Sequence, residues 1–254
     1  MEEFKLNKVK DVFDGATLSW YASEGEDEEQ TDGIGASETM ELLENFSKNK
    51  ENFFLAYGLY RPHIPFVAPK KYFSMYDEQK IEIPSNGEDF LMTVSDPAKK
   101  SLRARTEQID LNDNLKKTIK HAYYATTSFV DAQIGRVLEK LKETGLDKNT
   151  IVIFTSDHGY HLGEKGHWQK QTLYERSTRV PLIIAGPGIL SNKKDIRTPV
   201  ELVDLYKTIT DLLGFETPLF VQGESLKPIL TQEAKINKSS CLLYTSDAAD
   251  DVRG

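Results

Sequence analysis

Apolar residues in the middle of this chain recur every three or four positions, the spacing of one face of a helix. The repeat starts at Leu111-Asn-Asp113 and continues to Gly145, a residue suited to a C-terminal cap. The residues predicted to form its packed face are Leu115, Ile119, Ala122, Tyr123, Thr126, Val130, Ile134, Val137, Leu138 and Leu141. We therefore expect one long packing helix here.

Two shorter helices are predicted from the same spacing. Ser37 is a suitable N-cap for a helix that ends near Lys50. The apolar face of this helix would be Met40, Leu42, Leu43 and Phe46. A last helix is expected over roughly residues 200–213, closed by Gly214. The acidic run at residues 24–29 is expected to be a solvated surface loop, because its like charges repel.

Short continuous apolar runs predict buried strands at residues 53–57, 150–155 and 180–185. Residues 62–110 contain prolines and little periodicity, so an irregular excursion is expected there. Strands that alternate with helices are typical of a layered α/β fold.

The composition is that of an ordinary globular protein. Of the 254 residues, 39% are hydrophobic and 28% are charged. No apolar run approaches the roughly 20 residues that cross a bilayer, so no membrane span is expected. The formal net charge of -8 argues against a nucleic-acid partner, because neutralising phosphates needs a basic surface. Cys241 is the single cysteine, so no disulfide within the chain is expected.

The strand predicted at residues 150–155 leads directly into Asp157, His158 and Gly159. The carboxyl end of a buried strand in an α/β sheet faces the crevice where ligands bind. Aspartate and histidine are metal-ligand residue types, so a site is expected at this strand end. Alternatively, an isolated Asp-His-Gly is a simple turn in which the aspartate caps the next helix.

Cationic side chains cluster around this turn and in a second segment upstream. Residues 160–170 combine glycines, histidines, an aromatic residue and a lysine, which favours a loop that makes contacts. The cations of the two segments are Arg61, His63, Lys165, His167 and Lys170. Their local field would attract an anionic ester despite the net negative charge. The prolines on either side of His63 and Ile64 are expected to hold that backbone extended.

Together, residues 154–159, Leu162-Gly-Glu164, Trp168 and Lys170, with residues 53–66 upstream, resemble the sulfatase family, especially its iduronate-2-sulfatase-like members. The similarity extends from about residue 13 to residue 229, because residues 180–188, 202–206 and 222–226 also match later landmarks of that family. The resemblance implies an alkaline-phosphatase-like α/β/α sandwich, of which the chain would be the middle and later part.

The resemblance also assigns catalytic and metal roles. Asp157 and His158 would ligate calcium, whose preference for oxygen ligands suits the aspartate better than the histidine. Lys170 would stabilise charge on the sulfate group. His63 would protonate the departing alkoxide, since imidazole titrates in a suitable range.

Substrate contacts follow from the same resemblance. Arg61, His167 and Trp168 are expected to bind the substrate, which would be a sulfated sugar or polysaccharide. A periplasmic or extracellular location is likewise expected. The activity would be that of a sulfuric ester hydrolase.

The family's Cys-x-Pro-Ser-Arg type signature, whose cysteine becomes the formylglycine nucleophile, does not occur in this sequence. The chain is therefore expected to be an N-terminally truncated fragment that is inactive alone. Residues 1–222 would belong to the catalytic domain and residues 223–240 would begin a smaller C-terminal subdomain. Residues 241–254 resemble a translated sequencing adapter and would be a non-biological tail.

Two other functions stay open at this point. A phosphodiester or phosphonate monoester hydrolase of the same superfamily would share the Asp-His-Gly turn. A non-catalytic carbohydrate-binding or structural protein would lack a nucleophile altogether.

Overall fold

The computed structural model describes residues 7–8, 18–85, 87–190 and 196–231. It forms two compact units, the first from residues 1–148 and 157–180 and the second from residues 149–156 and 181–254. The predicted tail at residues 241–254 lies outside the described part of the chain.

The elements alternate between helices and short strands. The described helices are α1 (Thr31–Asn49), α2 (Lys70–Phe73), α3 (Glu88–Thr93), α4 (Asp96–Leu102), α5 (Asp113–Glu143), α6 (Glu175–Thr178), α7 (Asp204–Leu213) and α8 (Lys227–Thr231). The described strands are β1 (Asn7–Lys8), β2 (Ser19–Ser23), β3 (Phe66–Pro69), β4 (Val152–Thr155), β5 (His161–Leu162), β6 (Trp168–Gln169) and β7 (Leu182–Ala185).

Helix α5 organises the first unit, and the sequence predicts it closely. The side chain of Asn112 caps it by accepting the N–H of Leu115 at 2.9 Å. Beyond its end, Gly145 has φ +72, the left-handed conformation that glycine adopts at little cost. One face of α5 is buried in two apolar clusters, of which the first contains Leu18, Phe66, Leu111, Ile119, Ala122 and Trp168. The long packing helix is therefore confirmed, but Leu138 of its predicted packed face is 45% exposed.

Strand pairing in the first unit differs from the prediction. Strand β2 pairs antiparallel with β1 and parallel with β3, which lies inside the segment predicted to be irregular. Residues 53–57 form no strand, and Phe54 is 82% exposed. These residues have no hydrogen-bonded neighbouring strand in the described part of the chain. A strand needs such a neighbour, and an apolar run alone does not supply one.

Helix α1 begins at Thr31, well before the predicted N-cap. The hydroxyl of Ser37 donates instead to the carbonyl of Gly33 at 3.1 Å, within the helix. The acidic run before α1 is also only partly solvated, because Asp27 is buried in a 3-10 turn at Asp27–Glu29. The prediction of a solvated loop is therefore wrong at Asp27.

The buried carboxylate of Asp27 binds three side chains of the first unit. It accepts hydrogen bonds from the hydroxyl of Tyr72 at 2.5 Å and the amide of Gln133 at 3.0 Å, and Lys71 Nζ lies 2.7 Å away. Burial alone raises the pKa of this carboxyl, but the hydrogen bonds from Lys71, Tyr72 and Gln133 outweigh burial and hold the pKa below its ordinary value.

We expect Asp27→Asn to lower the free energy of unfolding at pH 7 by about 2 kcal/mol, since charged hydrogen bonds are lost. The folded pKa lies below the unfolded one, so this stabilisation is complete above about pH 4 and disappears as the pH falls through the folded pKa. Urea unfolding of both proteins at pH 7 and pH 3 would measure it. A difference that does not shrink in acid would contradict this assignment.

The second unit contains the antiparallel pair of β4 and β7, in which Val152 lies opposite Ala185. Its buried cluster is Leu226, Ile229 and Leu230. Helix α7 starts later than predicted and ends at Leu213, followed by Gly214, which has φ +74 as expected for a cap. None of the helices in the described residues is long and apolar enough to span a membrane.

Candidate functional site

Asp157 and His158 lie together just beyond the end of β4. Asp157 is exposed, with 82% of its side chain accessible, and its Oδ2 lies 3.4 Å from Nε2 of His158. Nδ1 of His158 lies 2.8 Å from the carbonyl of Gly159. If Nδ1 carries the proton, it donates to that carbonyl, as metal-binding histidines commonly do, and Nε2 faces the carboxylate.

Gly159 fixes this turn against α6. Its N–H donates to the carbonyl of Ser177 at 2.6 Å. A Cβ at this position would collide with the carbonyl oxygen of Arg176. The sequence has glycine here because the two backbones approach closely.

The second segment forms a turn that carries His63. The N–H of His63 donates to the carbonyl of Tyr60 at 3.0 Å, so the prediction of an extended backbone is wrong. Nδ1 of His63 lies 2.7 Å from the carbonyl of Ile64, and the ring is exposed. Donation from Nδ1 leaves Nε2 to exchange a proton with a ligand.

Arg61 contacts its own turn. Its Nε donates to the carbonyl of Val67 at 3.1 Å and its Nη1 to the carbonyl of His63 at 3.2 Å. These contacts brace the backbone around His63, and the role of Arg61 in binding substrate stays a prediction. Burial lowers the pKa of Arg61, although the side chain stays protonated at neutral pH.

Aromatic contacts hold the two motif segments next to each other. Phe66, just after the His63 turn, packs edge-on against Tyr160, just after the Asp157 turn, with ring centroids 6.2 Å apart. Tyr123 of α5 contacts both rings. The segments predicted to share a site are thus neighbours in the first unit.

Lys170 follows β6, which pairs antiparallel with β5. It is half-buried, and its carbonyl accepts the N–H of Thr172 at 2.7 Å. The preceding residue, Gln169, has φ +75, a conformation that is costly for a side chain other than glycine. Such strain is concentrated at functional sites, which supports a role for this position. Glu164 fixes the same hairpin by accepting the N–H of Leu162 at 2.7 Å.

Trp168 and His167 are interior residues in the described part of the chain, and their predicted contacts with substrate stay a prediction. Trp168 is 2% exposed and belongs to the apolar cluster around α5. His167 is buried, with Nδ1 lying 3.0 Å from the carbonyl of Leu102. Trp168 lies opposite Leu162 in the β5–β6 pair, and His167 directly precedes β6.

The described residues supply only part of a divalent cation site. The exposed carboxylate of Asp157 suits a hard cation, and Nε2 of His158 is beside it. However, the described part of the chain holds no group of three or more histidine, cysteine, aspartate or glutamate side chains that could bind a metal. Calcium takes six to eight oxygen ligands, so these two residues do not form a complete site.

Comparison with known proteins identifies the family. The family model described as "Sulfatase" matches residues 3–215. The chain belongs to the sulfatase family. A sulfatase from Formosa agariphila is 40% identical over 73% of this chain and 37% of its own length. Iduronate 2-sulfatase from Homo sapiens is 30% identical over 80% of this chain and 44% of its own length.

A solved structure also matches. Phosphonate monoester hydrolase SpPMH from Silicibacter pomeroyi superposes with a TM-score of 0.76 and 30% identity over 89% of this chain and 45% of its own. The predicted alkaline-phosphatase-like α/β fold is thereby confirmed. This sulfatase family member spans less than half the length of these three proteins.

Two buried histidines pack against each other in the β5–β6 hairpin of this sulfatase family member. The rings of His161 and His167 meet edge-on with centroids 5.0 Å apart, and Nε2 of His161 lies 3.1 Å from the hydroxyl of Thr172. Burial, and to a smaller extent the charge of the neighbouring His167, lowers the pKa of His161 to about 4. Burial also lowers the pKa of His167.

This burial predicts acid sensitivity between about pH 6.5 and pH 4. In that window the unfolded chain binds protons that folded His161 does not, so stability is complete above pH 6.5 and falls by about 3 kcal/mol on the way to pH 4. Urea unfolding across this range would show the slope, and His161→Gln should reduce it. Asp27→Asn is the control, since it should lower stability by a constant amount above about pH 4 and leave the slope between pH 6.5 and pH 4 unchanged. An equal slope in His161→Gln would contradict the assignment.

Proposed function

We propose that the protein acts as a sulfuric ester hydrolase. The observation that carries this proposal is the sulfatase family match over residues 3–215, which includes every candidate site residue from Arg61 to Lys170. The contact between Phe66 and Tyr160 supports it, because it makes the two motif segments neighbours.

In this proposal His63 is the general acid. Its Nδ1 is occupied by the carbonyl of Ile64, so Nε2 would carry the proton that passes to the departing oxygen of the ester. The proton neutralises the alkoxide that forms as the sulfur–oxygen bond breaks. The exposure of the ring is consistent with access by a substrate.

Asp157 and His158 would contribute two ligands to a divalent cation, which we propose to be calcium. When bound, calcium would hold sulfonyl oxygens, and a formylglycine would supply the attacking oxygen in the whole protein. The chain's own contribution is the carboxylate and the imidazole, held in the turn that Gly159 anchors.

The ammonium group of Lys170 would stabilise negative charge on the sulfonyl oxygens. We expect Lys170→Ala to lower kcat about a hundredfold in the full-length gene product, the effect of removing one fixed charge-stabilising donor. Stability should change by less than about 0.5 kcal/mol, as for a substitution outside the core. Steady-state kinetics and thermal unfolding would measure both, and Lys165→Ala is a matched lysine control on the same loop. Unchanged turnover in Lys170→Ala would remove it from the site.

The substrate class we propose is a sulfated carbohydrate. The support is the similarity to iduronate 2-sulfatase, whose name specifies a sulfated sugar acid. Desulfation of sulfated oligosaccharides by the full-length gene product, followed by mass spectrometry, would test this class.

Phosphonate monoester hydrolysis is the second candidate, and the structural similarity to SpPMH favours it specifically. Values of kcat/KM for 4-nitrophenyl sulfate and 4-nitrophenyl phenylphosphonate, measured on one preparation, would decide. A higher value for the sulfate supports the proposal, and a higher value for the phosphonate overturns it. Cleavage of neither would favour a non-catalytic binding protein.

A further inference from the structure

A buried carboxylate at the start of α1 holds the turn that carries His63. Asp32 is 4% exposed. Its Oδ1 accepts the backbone N–H of Tyr60 at 2.7 Å and its Oδ2 accepts that of Arg61 at 2.9 Å. Each carboxylate oxygen therefore binds one of two consecutive amides, a geometry that fixes the direction of the backbone as well as its position.

These amides need such a partner. Residues 51–60 form no strand and residues 61–65 form a turn, so no strand ladder supplies acceptors for these N–H groups and the carboxylate of Asp32 supplies them instead. Asp32 also offsets the positive charge of Arg61, whose guanidinium reaches the carbonyls of His63 and Val67. The carboxylate and the guanidinium together hold both ends of the turn.

Asp32 is itself fixed in place. The hydroxyl of Tyr57 donates to its backbone carbonyl at 2.8 Å. The next residue, Gly33, packs so closely on the backbone of Asp27 that a Cβ would collide with its carbonyl oxygen. The first turn of α1 is therefore a rigid base for the carboxylate.

We propose that Asp32 is a positioning residue for His63: it holds the turn from Tyr60 to His63 so that Nδ1 donates to the carbonyl of Ile64 and Nε2 is presented to the ester oxygen. This inference rests on the proposed function, because the role of His63 as general acid does. Asp32 itself does not touch the substrate.

Amide hydrogen exchange in the unaltered chain gives the first test. The N–H groups of Tyr60 and Arg61 should exchange at least about tenfold more slowly than in an unstructured peptide, since each donates to a buried carboxylate. Exchange of both amides at the unprotected rate would overturn the proposal, and this measurement needs no variant.

The second test follows the imidazole of His63 by ¹⁵N NMR. In the unaltered chain, the nitrogen shifts of the neutral imidazole should show the Nδ1–H tautomer; the imidazolium that would act as the acid carries a second proton on Nε2. Asp32→Asn should raise the exchange rate of at least one of the two amides about tenfold and move the His63 shifts towards those of a free imidazole. The matched control is Asp27→Asn, which removes a buried carboxylate before the same helix and should move neither signal.

Unchanged His63 shifts in Asp32→Asn, or equal changes in the control, would overturn the proposal. If Asp32→Asn does not fold, the exchange rates of the unaltered chain decide. These readouts need no turnover, so they are separate from the sulfatase assay. If the sulfatase assay fails but the NMR result is as expected, the proposed function is overturned. The role of Asp32 in positioning the turn would still stand.

Discussion

Replacing Trp168 with alanine is expected to lower the free energy of unfolding by about 3–5 kcal/mol, the range for removing a large buried aromatic side chain. Trp168 is 2% exposed and shares a cluster with Leu18, Phe66 and Ile119. Its removal would leave a cavity between α5 and the short hairpin. Urea unfolding at pH 7 would measure the loss.

The control is Phe54→Ala, which removes an aromatic side chain that the described chain leaves exposed and should change stability by less than about 0.5 kcal/mol. Trp168→Phe should lose less stability than Trp168→Ala, because the phenylalanine ring fills part of the space that the indole occupies. If Trp168→Ala unfolded like the unaltered protein but weakened substrate binding, the core role would be contradicted and the prediction that Trp168 contacts substrate would be supported.

Local sequence signals predicted the elements whose stabilising contacts are local. Helix α5 has its cap at Asn112, its apolar stripe and its terminal glycine within one continuous stretch, so periodicity was sufficient. Strand β4 was also predicted, within residues 150–155. Residues 53–57 have an equally apolar run, but a strand depends on a partner that the sequence pattern does not show.

In the candidate site, too, local motifs were recognised from the sequence and contacts between distant residues were not. Asp157, His158 and His63 follow recognisable motifs, and the structure makes their segments neighbours. The burial of Trp168 and His167 was not predicted, because an aromatic residue and a histidine in a glycine-rich loop resemble contact residues. Asp32 was missed because it lies 28 residues before the first amide it binds, and no short spacing links the two.

Replacing His63 with glutamine is expected to lower kcat of the full-length gene product about a thousandfold for an alkyl sulfate, within the range for loss of a general acid. Glutamine keeps a polar side chain of similar length but supplies no transferable proton. The effect should depend on the leaving group, because an alkoxide needs that proton and a nitrophenolate does not. With 4-nitrophenyl sulfate the loss should therefore be much smaller. Equal losses for the two esters would show that His63 acts in binding or folding and would exclude it as the acid.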